Sequence, residues 1–163
     1  MRNITRLAWR PAICLLIFLA SEGIAVSQQA WRPVDTGVIF SAEHVEGSGA
    51  NRLFALAAPY WTPSPDEIAL LEAHLKPYLA RATIPGAKVI SARLESYKRQ
   101  YFGFTDGGKK WILVNGFCAG QWKKQDTWHD RVVVVLDGGV CFFRVRYDLS
   151  RSQFEQLQIN GEA

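Results

Sequence analysis

The sequence lacks the short motifs by which many enzymes are recognised. It contains no Gly-x-Ser-x-Gly nucleophile elbow, no phosphate-binding loop and no glycine-rich dinucleotide fingerprint. The alternative of an enzyme whose catalytic residues are scattered along the chain stays open. Because no catalytic constellation is apparent, we expect a non-enzymatic protein that carries no cofactor.

The sequence also lacks an apolar run long enough to cross a bilayer as a helix. Its longest apolar stretch, residues 11–21, has about 11 residues, whereas a membrane-spanning helix needs about 20. Three arginines precede this stretch, and small residues at Ala25 and Ser27 follow it. This order is typical of an export signal. We therefore expect residues 1–27 to be a signal peptide and residues 28–163 to work in the periplasm or outside the cell.

Basic residues are not concentrated anywhere in the predicted mature chain. The net charge of +4 falls to +2 without residues 1–27, because these carry three arginines and one glutamate. The remaining basic pairs, such as Lys109-Lys110 and Lys123-Lys124, are scattered. Nucleic-acid binding needs basic side chains collected on one surface, so we expect no nucleic-acid partner.

The mature chain has the size of one domain, with one clear helix signal. About 136 residues can bury a core without help from a metal. Ser64, Pro65 and Glu67 form a helix start with a capping box. Apolar residues then recur every three or four positions, which predicts a helix over residues 65–82 with one buried stripe. The stripe consists of Ile68, Leu71, Leu75, Leu79 and Ala82.

The rest of the chain is typical of strands. Residues 38–40 suit a strand, and the chain after the helix is rich in β-branched and aromatic residues. Asp-Gly-Gly at 106–108 and 137–139 suits hairpins between adjacent strands. One helix and a curled antiparallel sheet of four to five strands predict an α+β fold, cystatin-like or a related helix-grip arrangement. The strands predicted after the helix are residues 89–105, 110–118, 131–136, 140–148 and 154–160.

Four segments of the C-terminal half carry a resemblance: YKRQYFGF, ILVNGFC, VVVVLDGGVCFFRVRYD and QINGEA. Their Asn-x-Phe-Cys, Asp-Gly-Gly and Asn-Gly-Glu-Ala spacing resembles that of small exported proteobacterial proteins of unknown function, over roughly residues 94–163. The resemblance implies export and a single sheet domain. It implies no activity, because the shared motifs are strand and turn residues.

Two cysteines of the predicted mature chain favour a structural disulfide. Cys118 with His129 could suggest a nucleophile and its base, but outside the cytoplasm a reactive thiol does not persist beside another cysteine. We therefore predict a bond between Cys118 and Cys141. In a simple meander these residues would lie too far apart to bond. The bond requires the strand from residue 140 to lie antiparallel beside the strand from residue 110, with residues 119–130 crossing over to the next strand.

The long connection of residues 119–130 carries the candidate binding residues Trp122, Trp128 and His129. Aromatic side chains on an exposed loop favour a partner site, here for an unidentified protein or a cell-envelope ligand. The alternative is that both tryptophans fold back over an open end of the sheet. The sequence leaves the oligomeric state open.

Two short clusters contain residue types that bind metals. Neither Glu43-His44-x-Glu46 nor Asp126-x-x-His129-Asp130 has a zinc spacing, so we expect no metal. A small-molecule or hydrolytic site inside the cupped sheet stays open as the alternative function, since such folds enclose pockets.

The first prediction concerns processing. We expect signal peptidase to cleave after Ser27, so that mass spectrometry of the exported protein finds Gln28 at its N-terminus. Cleavage after Ala30 is the second, less well matched position. No cysteine directly follows the small residues, so we expect no lipid anchor. Retention of Met1, or a diacylglycerol adduct, would contradict the interpretation.

Overall fold

One five-stranded sheet organises the fold. The computed structural model describes residues 36–121 and 127–161, so the predicted signal peptide lies outside the described residues. The strands follow one another across the sheet in chain order, and the sheet is curled without closing. The first strand runs parallel to the second, and the other neighbours are antiparallel. The strands are β1 Gly37–Phe40, β2 Tyr97–Asp106, β3 Lys109–Cys118, β4 Phe142–Asp148 and β5 Gln153–Ile159.

Four α-helices in the described residues accompany the sheet, and the longest of them confirms the predicted helix. The Ser64 hydroxyl accepts a hydrogen bond from the Glu67 backbone N–H, and the Glu67 carboxylate accepts one from the Ser64 backbone N–H at 2.7 Å. This capping box satisfies backbone donors that the first turn leaves unpaired. The helices are α1 Ala42–Gly47, α2 Ala50–Leu53, α3 Pro65–Arg81 and α4 Ala87–Ala92. None of the helices in the described part of the chain could span a membrane.

Both faces of the sheet are covered. The stripe of α3 packs on one face, where its four leucine and isoleucine side chains are fully buried against tyrosine, valine and isoleucine side chains of the strands. On the other face, Phe102, Phe104 and Leu113 pack against Phe40 and Phe54 from the chain before α3. The predicted α+β class, one main helix on a curled, mostly antiparallel sheet, is therefore confirmed.

The strand predicted over residues 89–105 begins too early. Residues 89–96 are not extended: they contain most of α4 and a short 3₁₀ turn, Leu94–Ser96. Gly86 precedes α4 with φ +87°, and Ala87, Ile90 and Leu94 are buried at helical spacing. A short apolar run has no periodicity that separates strand from helix, which is why the sequence pattern was misleading at this point.

The first hairpin is confirmed and the second is wrong. Asp106 pairs with Lys109, which leaves Gly107 and Gly108 as a two-residue loop with φ of +57° and +74°. Residues 131–136 form no sheet strand, so the turn at 137–139 joins no adjacent antiparallel strands.

Residues 131–137 bond to side chains of the sheet instead of to a strand. The carbonyl oxygens of alternate residues in this segment accept hydrogen bonds of 2.6 to 2.9 Å from three side-chain amides, which we call the amide row. These side-chain amides bond to the carbonyl groups that a neighbouring strand would otherwise bond. Residues 131–137 therefore stay outside the sheet, although their residue types favour a strand. The acceptors belong to Arg131, Val133, Val135 and Asp137, and the amide row is Gln100, Asn115 and Asn160.

The predicted disulfide is present. Cys118 and Cys141 are bonded, with their α-carbons 4.9 Å apart. Residues 111–117 of β3 pair antiparallel with residues 142–148 of β4, the arrangement that the bond requires. The crossing connection returns to β4, however, and starts no strand of its own.

The second prediction separates the buried and exposed faces of α3. Leu71→Ala should lower the free energy of unfolding by about 2 to 5 kcal/mol, because it removes buried surface and leaves a cavity. Leu70 is 45% exposed on the same helix, so Leu70→Ala is the matched control, with a change within about 0.5 kcal/mol. Denaturant unfolding followed by circular dichroism measures both. Equal losses would contradict the packing described.

Candidate functional site

A groove of about 720 Å³ lies between α1 and the segment that follows the long connection. Its volume lies in the range of ligand sites, but it is open to solvent along its length. One wall comes from α1 and its flanks, and the other from residues 130–132. The lining residues that matter for binding are Ser41, Glu43, His44, Ser48, Asp130 and Arg131.

Helix α1 places an acidic group on the first wall. Ser41 is its N-cap, and its hydroxyl accepts a hydrogen bond from the His44 backbone N–H at 3.2 Å. Hydrogen bonds from the backbone of the first turn and from Ser41 lower the pKa of Glu43. The Glu43 carboxylate is therefore charged and exposed at the groove.

The histidine of the same wall has an incomplete set of partners. The His44 ring stacks on Phe40 with centroids 4.3 Å apart. Its Nε2 atom is buried and has no hydrogen-bond partner among the described residues. A buried polar atom without a partner costs free energy, and such atoms are rare in folded proteins. A partner group that reaches Nε2 would remove this cost.

The second wall supplies charges of both signs. The backbone N–H groups of Asp130 and Arg131 both donate to the Thr127 carbonyl, at 3.2 and 2.7 Å, which fixes a tight turn. Gln100 then holds the Arg131 carbonyl at 2.7 Å. The Asp130 and Arg131 side chains are exposed, and neither belongs to an ion pair within residues 36–121 and 127–161. They are available to a charged partner.

The structure places only part of the predicted binding loop at the surface. Trp128 is 4% exposed, and its ring meets the Phe117 ring edge-on. This residue therefore folds back over the sheet, which is the alternative to partner binding given above. His129 is exposed, with its ring 3.7 Å from the Trp128 ring. Trp122 lies outside the described residues. Partner binding by this loop stays a prediction.

The two clusters with metal-ligand types turn out to be neighbours. Glu43 and His44 from the first cluster and Asp130 from the second line the same groove. Residues 36–121 and 127–161 contain no group of three or more such side chains able to hold a metal ion. The sequence contains both clusters, but nothing in it indicates that they meet.

A buried ion pair lies on the opposite side, under α3. Arg99 Nε lies 3.0 Å from the Glu72 carboxylate, and the Tyr101 hydroxyl donates to the same carboxylate at 2.7 Å. Burial raises the pKa of Glu72, and the Arg99 charge opposes this rise. Arg99 also donates to Thr36, at the start of β1. The cluster is enclosed and holds the first strand in place, so it is no candidate site.

The Glu72 environment corrects one expectation from helix spacing. Glu72 and Lys76 stand four residues apart, which favours a pair on the outer face. Glu72 instead turns inward to Arg99, and Lys76 pairs with Glu95 after α4.

The far face of the sheet holds two small gaps beside Phe54, of about 10 and 40 Å³, too small for an organic ligand.

Comparison with family models, with curated proteins and with solved structures found no match. The groove is therefore interpreted from its own geometry.

The third prediction concerns the residue that positions the second wall. Gln100→Leu leaves the Val133 N–H and the Arg131 carbonyl without their partner, and should cost about 1 to 3 kcal/mol. Hydrogen exchange should show the Val133 amide losing protection. Gln158→Leu, at an exposed position of β5, is the control. Unchanged protection at Val133 in Gln100→Leu would contradict the role given to this side chain.

Proposed function

We propose that this protein is an exported binding module without enzymatic activity. Its groove between α1 and residues 130–132 holds a charged segment of a partner protein in the cell envelope or outside the cell. The observation that carries the proposal is the meeting of Glu43 and His44 with Asp130 and Arg131 in one open groove, while both faces of the sheet are filled.

The location proposed rests on two features. Disulfides such as Cys118–Cys141 persist in oxidising compartments and are rare in the cytosol. Residues 1–27 have the order of charge, apolar run and small residues that export signals have. Together they favour a periplasmic or secreted protein.

The lining of the groove suggests the chemistry of the partner. The Glu43 and Asp130 carboxylates favour a lysine or arginine, and the Arg131 guanidinium favours a carboxylate. Leu53, which is 53% exposed, offers an apolar contact in the same groove. A polypeptide segment with charges of both signs around an apolar residue fits this arrangement. Complementary charges of this kind give an interface its specificity.

The alternative, a small-molecule or hydrolytic site inside the cupped sheet, finds less support. The face toward α3 is packed with side chains that are fully buried. Cys118 belongs to the disulfide and supplies no thiolate. An open groove at the margin of the sheet favours a macromolecular partner over an enclosed solute.

The fourth prediction tests the groove by photo-crosslinking. A photoreactive residue at Ser48, which lines the groove, should give a discrete crosslinked product in native envelope and secreted fractions. The same residue at Lys88, exposed on α4 and absent from the groove lining, should not give this product. Mass spectrometry of the product identifies the partner.

Charge variants test whether the groove recognises that partner. Glu43→Lys and Asp130→Lys should each lower the yield from Ser48 by about tenfold. Glu46→Lys makes the same charge change on an exposed residue of α1 outside the groove lining and should leave the yield unchanged. Identical products from both crosslinking positions, or equal losses in all three variants, would refute the proposal.

A further inference from the structure

The hydrogen bonds of residues 131–137 divide this segment into an inner and an outer edge. The odd-numbered residues direct their carbonyl groups at the amide row, and the Val133 N–H also bonds to Gln100 at 3.0 Å. This alternation is that of an extended strand, in which neighbouring residues direct their backbone groups to opposite edges. The even-numbered residues therefore form the outer edge.

The outer edge has no hydrogen-bond partner. No bond within residues 36–121 and 127–161 reaches the backbone of Val132, Val134 or Leu136. Val134 is 38% exposed and Leu136 is 93% exposed. Four consecutive valines give the segment a high preference for strand pairing. An unpaired edge of this kind is a template for another strand.

The charges at the two ends of the segment identify what pairs with it. Arg131 and Asp137 flank five apolar residues, and both are exposed. If two copies run antiparallel with Val134 opposite Val134, Arg131 of each copy stands opposite Asp137 of the other. The same register places Val132 opposite Leu136, so that outer residues meet outer residues. Opposite charges directly across a strand pair are stabilising.

Other registers lose this match. The backbone alternates with a period of two. A register shifted by one residue therefore places inner residues, whose backbone groups are already bonded to the amide row, opposite outer residues of the second copy. If the pair is centred on Val133, Arg131 lies opposite the apolar Val135. If it is centred on Val135, Asp137 lies opposite the apolar Val133. A parallel pair sets like charges beside each other at both ends.

One outer strand of the sheet, β5, is less suited to pairing. Its ladder with β4 shifts register between Arg144 and Arg146, and Gln156 in β5 has φ +55°. Arg151 and Glu155 form an ion pair on this strand and its preceding turn. Bulges and charges are the features by which proteins protect a sheet edge. Residues 131–137 bend at Arg131 and Leu136, but none of them has a positive φ and Val132–Val135 run without a bend.

We propose that two copies of this chain associate through residues 131–137, as an antiparallel pair of strand edges centred on Val134. The pairing joins backbone groups that no other part of the described chain satisfies, and it is closed by two Arg131–Asp137 pairs. The surface is small, so the dimer is weak and forms reversibly. The dimer shares Arg131 with the lining of the groove but does not require the groove to bind a partner.

A cysteine trap tests both the pairing and its register. The experiment uses the full chain with Cys14→Ser, so that the introduced cysteine is the one thiol outside the Cys118–Cys141 disulfide whether or not residues 1–27 are removed. Opposite residues of a hydrogen-bonded antiparallel pair have α-carbons about 5.5 Å apart, within disulfide range. Val134→Cys should therefore give a disulfide-linked dimer under mild oxidation.

Leu136→Cys is the matched control. Leu136 is more exposed than Val134, so random collision would crosslink it more readily. In the proposed register Leu136 faces Val132 of the second copy and lies about 13 Å along the strand from the second Leu136. We expect dimer from Val134→Cys and little from Leu136→Cys. Equal yields, or more dimer from Leu136→Cys, would overturn the register.

Exchange of the end charges tests what holds the dimer. Arg131→Asp and Asp137→Arg should each weaken dimerisation by about tenfold, measured by sedimentation, because each puts like charges opposite one another at both ends. The double exchange should restore it. A protein that stays monomeric, gives no Val134→Cys dimer, or binds a different chain along this edge would refute self-association.

Discussion

Three side-chain amides hold the irregular segment of residues 131–137 against the sheet. Gln100 and Asn115 stand opposite each other on β2 and β3, and Asn160 follows β5. Each buried hydrogen bond contributes about 0.5 to 1.5 kcal/mol, whereas a buried amide or carbonyl left unpaired costs about 1 to 3 kcal/mol. The sheet and the segment across it are therefore mutually dependent. Without the segment the amides lose their acceptors. Without the amides the segment loses the hydrogen bonds that hold it against the sheet.

The same arrangement gives one explanation for three sequence motifs that lie far apart. Asn-x-Phe-Cys supplies Asn115 to the amide row and Cys118 to the disulfide. Asp-Gly-Gly turns the chain after residue 137, where Asn160 holds the Asp137 carbonyl and Gly139 donates to the Gly161 carbonyl at 3.0 Å. Asn-Gly-Glu-Ala supplies Asn160 and Gly161 from the other end. These residues hold the segment against the sheet at Val133, Val135 and Asp137, and Gln100, opposite Asn115, holds the Arg131 carbonyl at the groove.

Local signals in the sequence predicted most of the fold, and long-range contacts account for what was missed. Helix α3 has a capping box and a helical stripe, both of which act within a few residues, so its bounds could be predicted. The disulfide could be predicted because cysteine chemistry restricts the choices. Residues 131–136 have every local feature of a strand, yet their partners are side chains on β2, β3 and after β5. The groove was missed for the same reason, since its walls come from segments that only the folded chain brings together.

The way in which residues 131–137 are held has a consequence for how this surface can vary. The amide row binds backbone carbonyl groups, which every amino acid possesses, so it places no demand on the outward side chains. Substitutions at positions 134 and 136, whose side chains are exposed, can alter the chemistry of the outer edge without removing any of these hydrogen bonds, whereas Val132 also packs against the core. The molecule thus separates the backbone contacts that keep this segment in place from two side chains whose chemistry can vary without loss of those contacts.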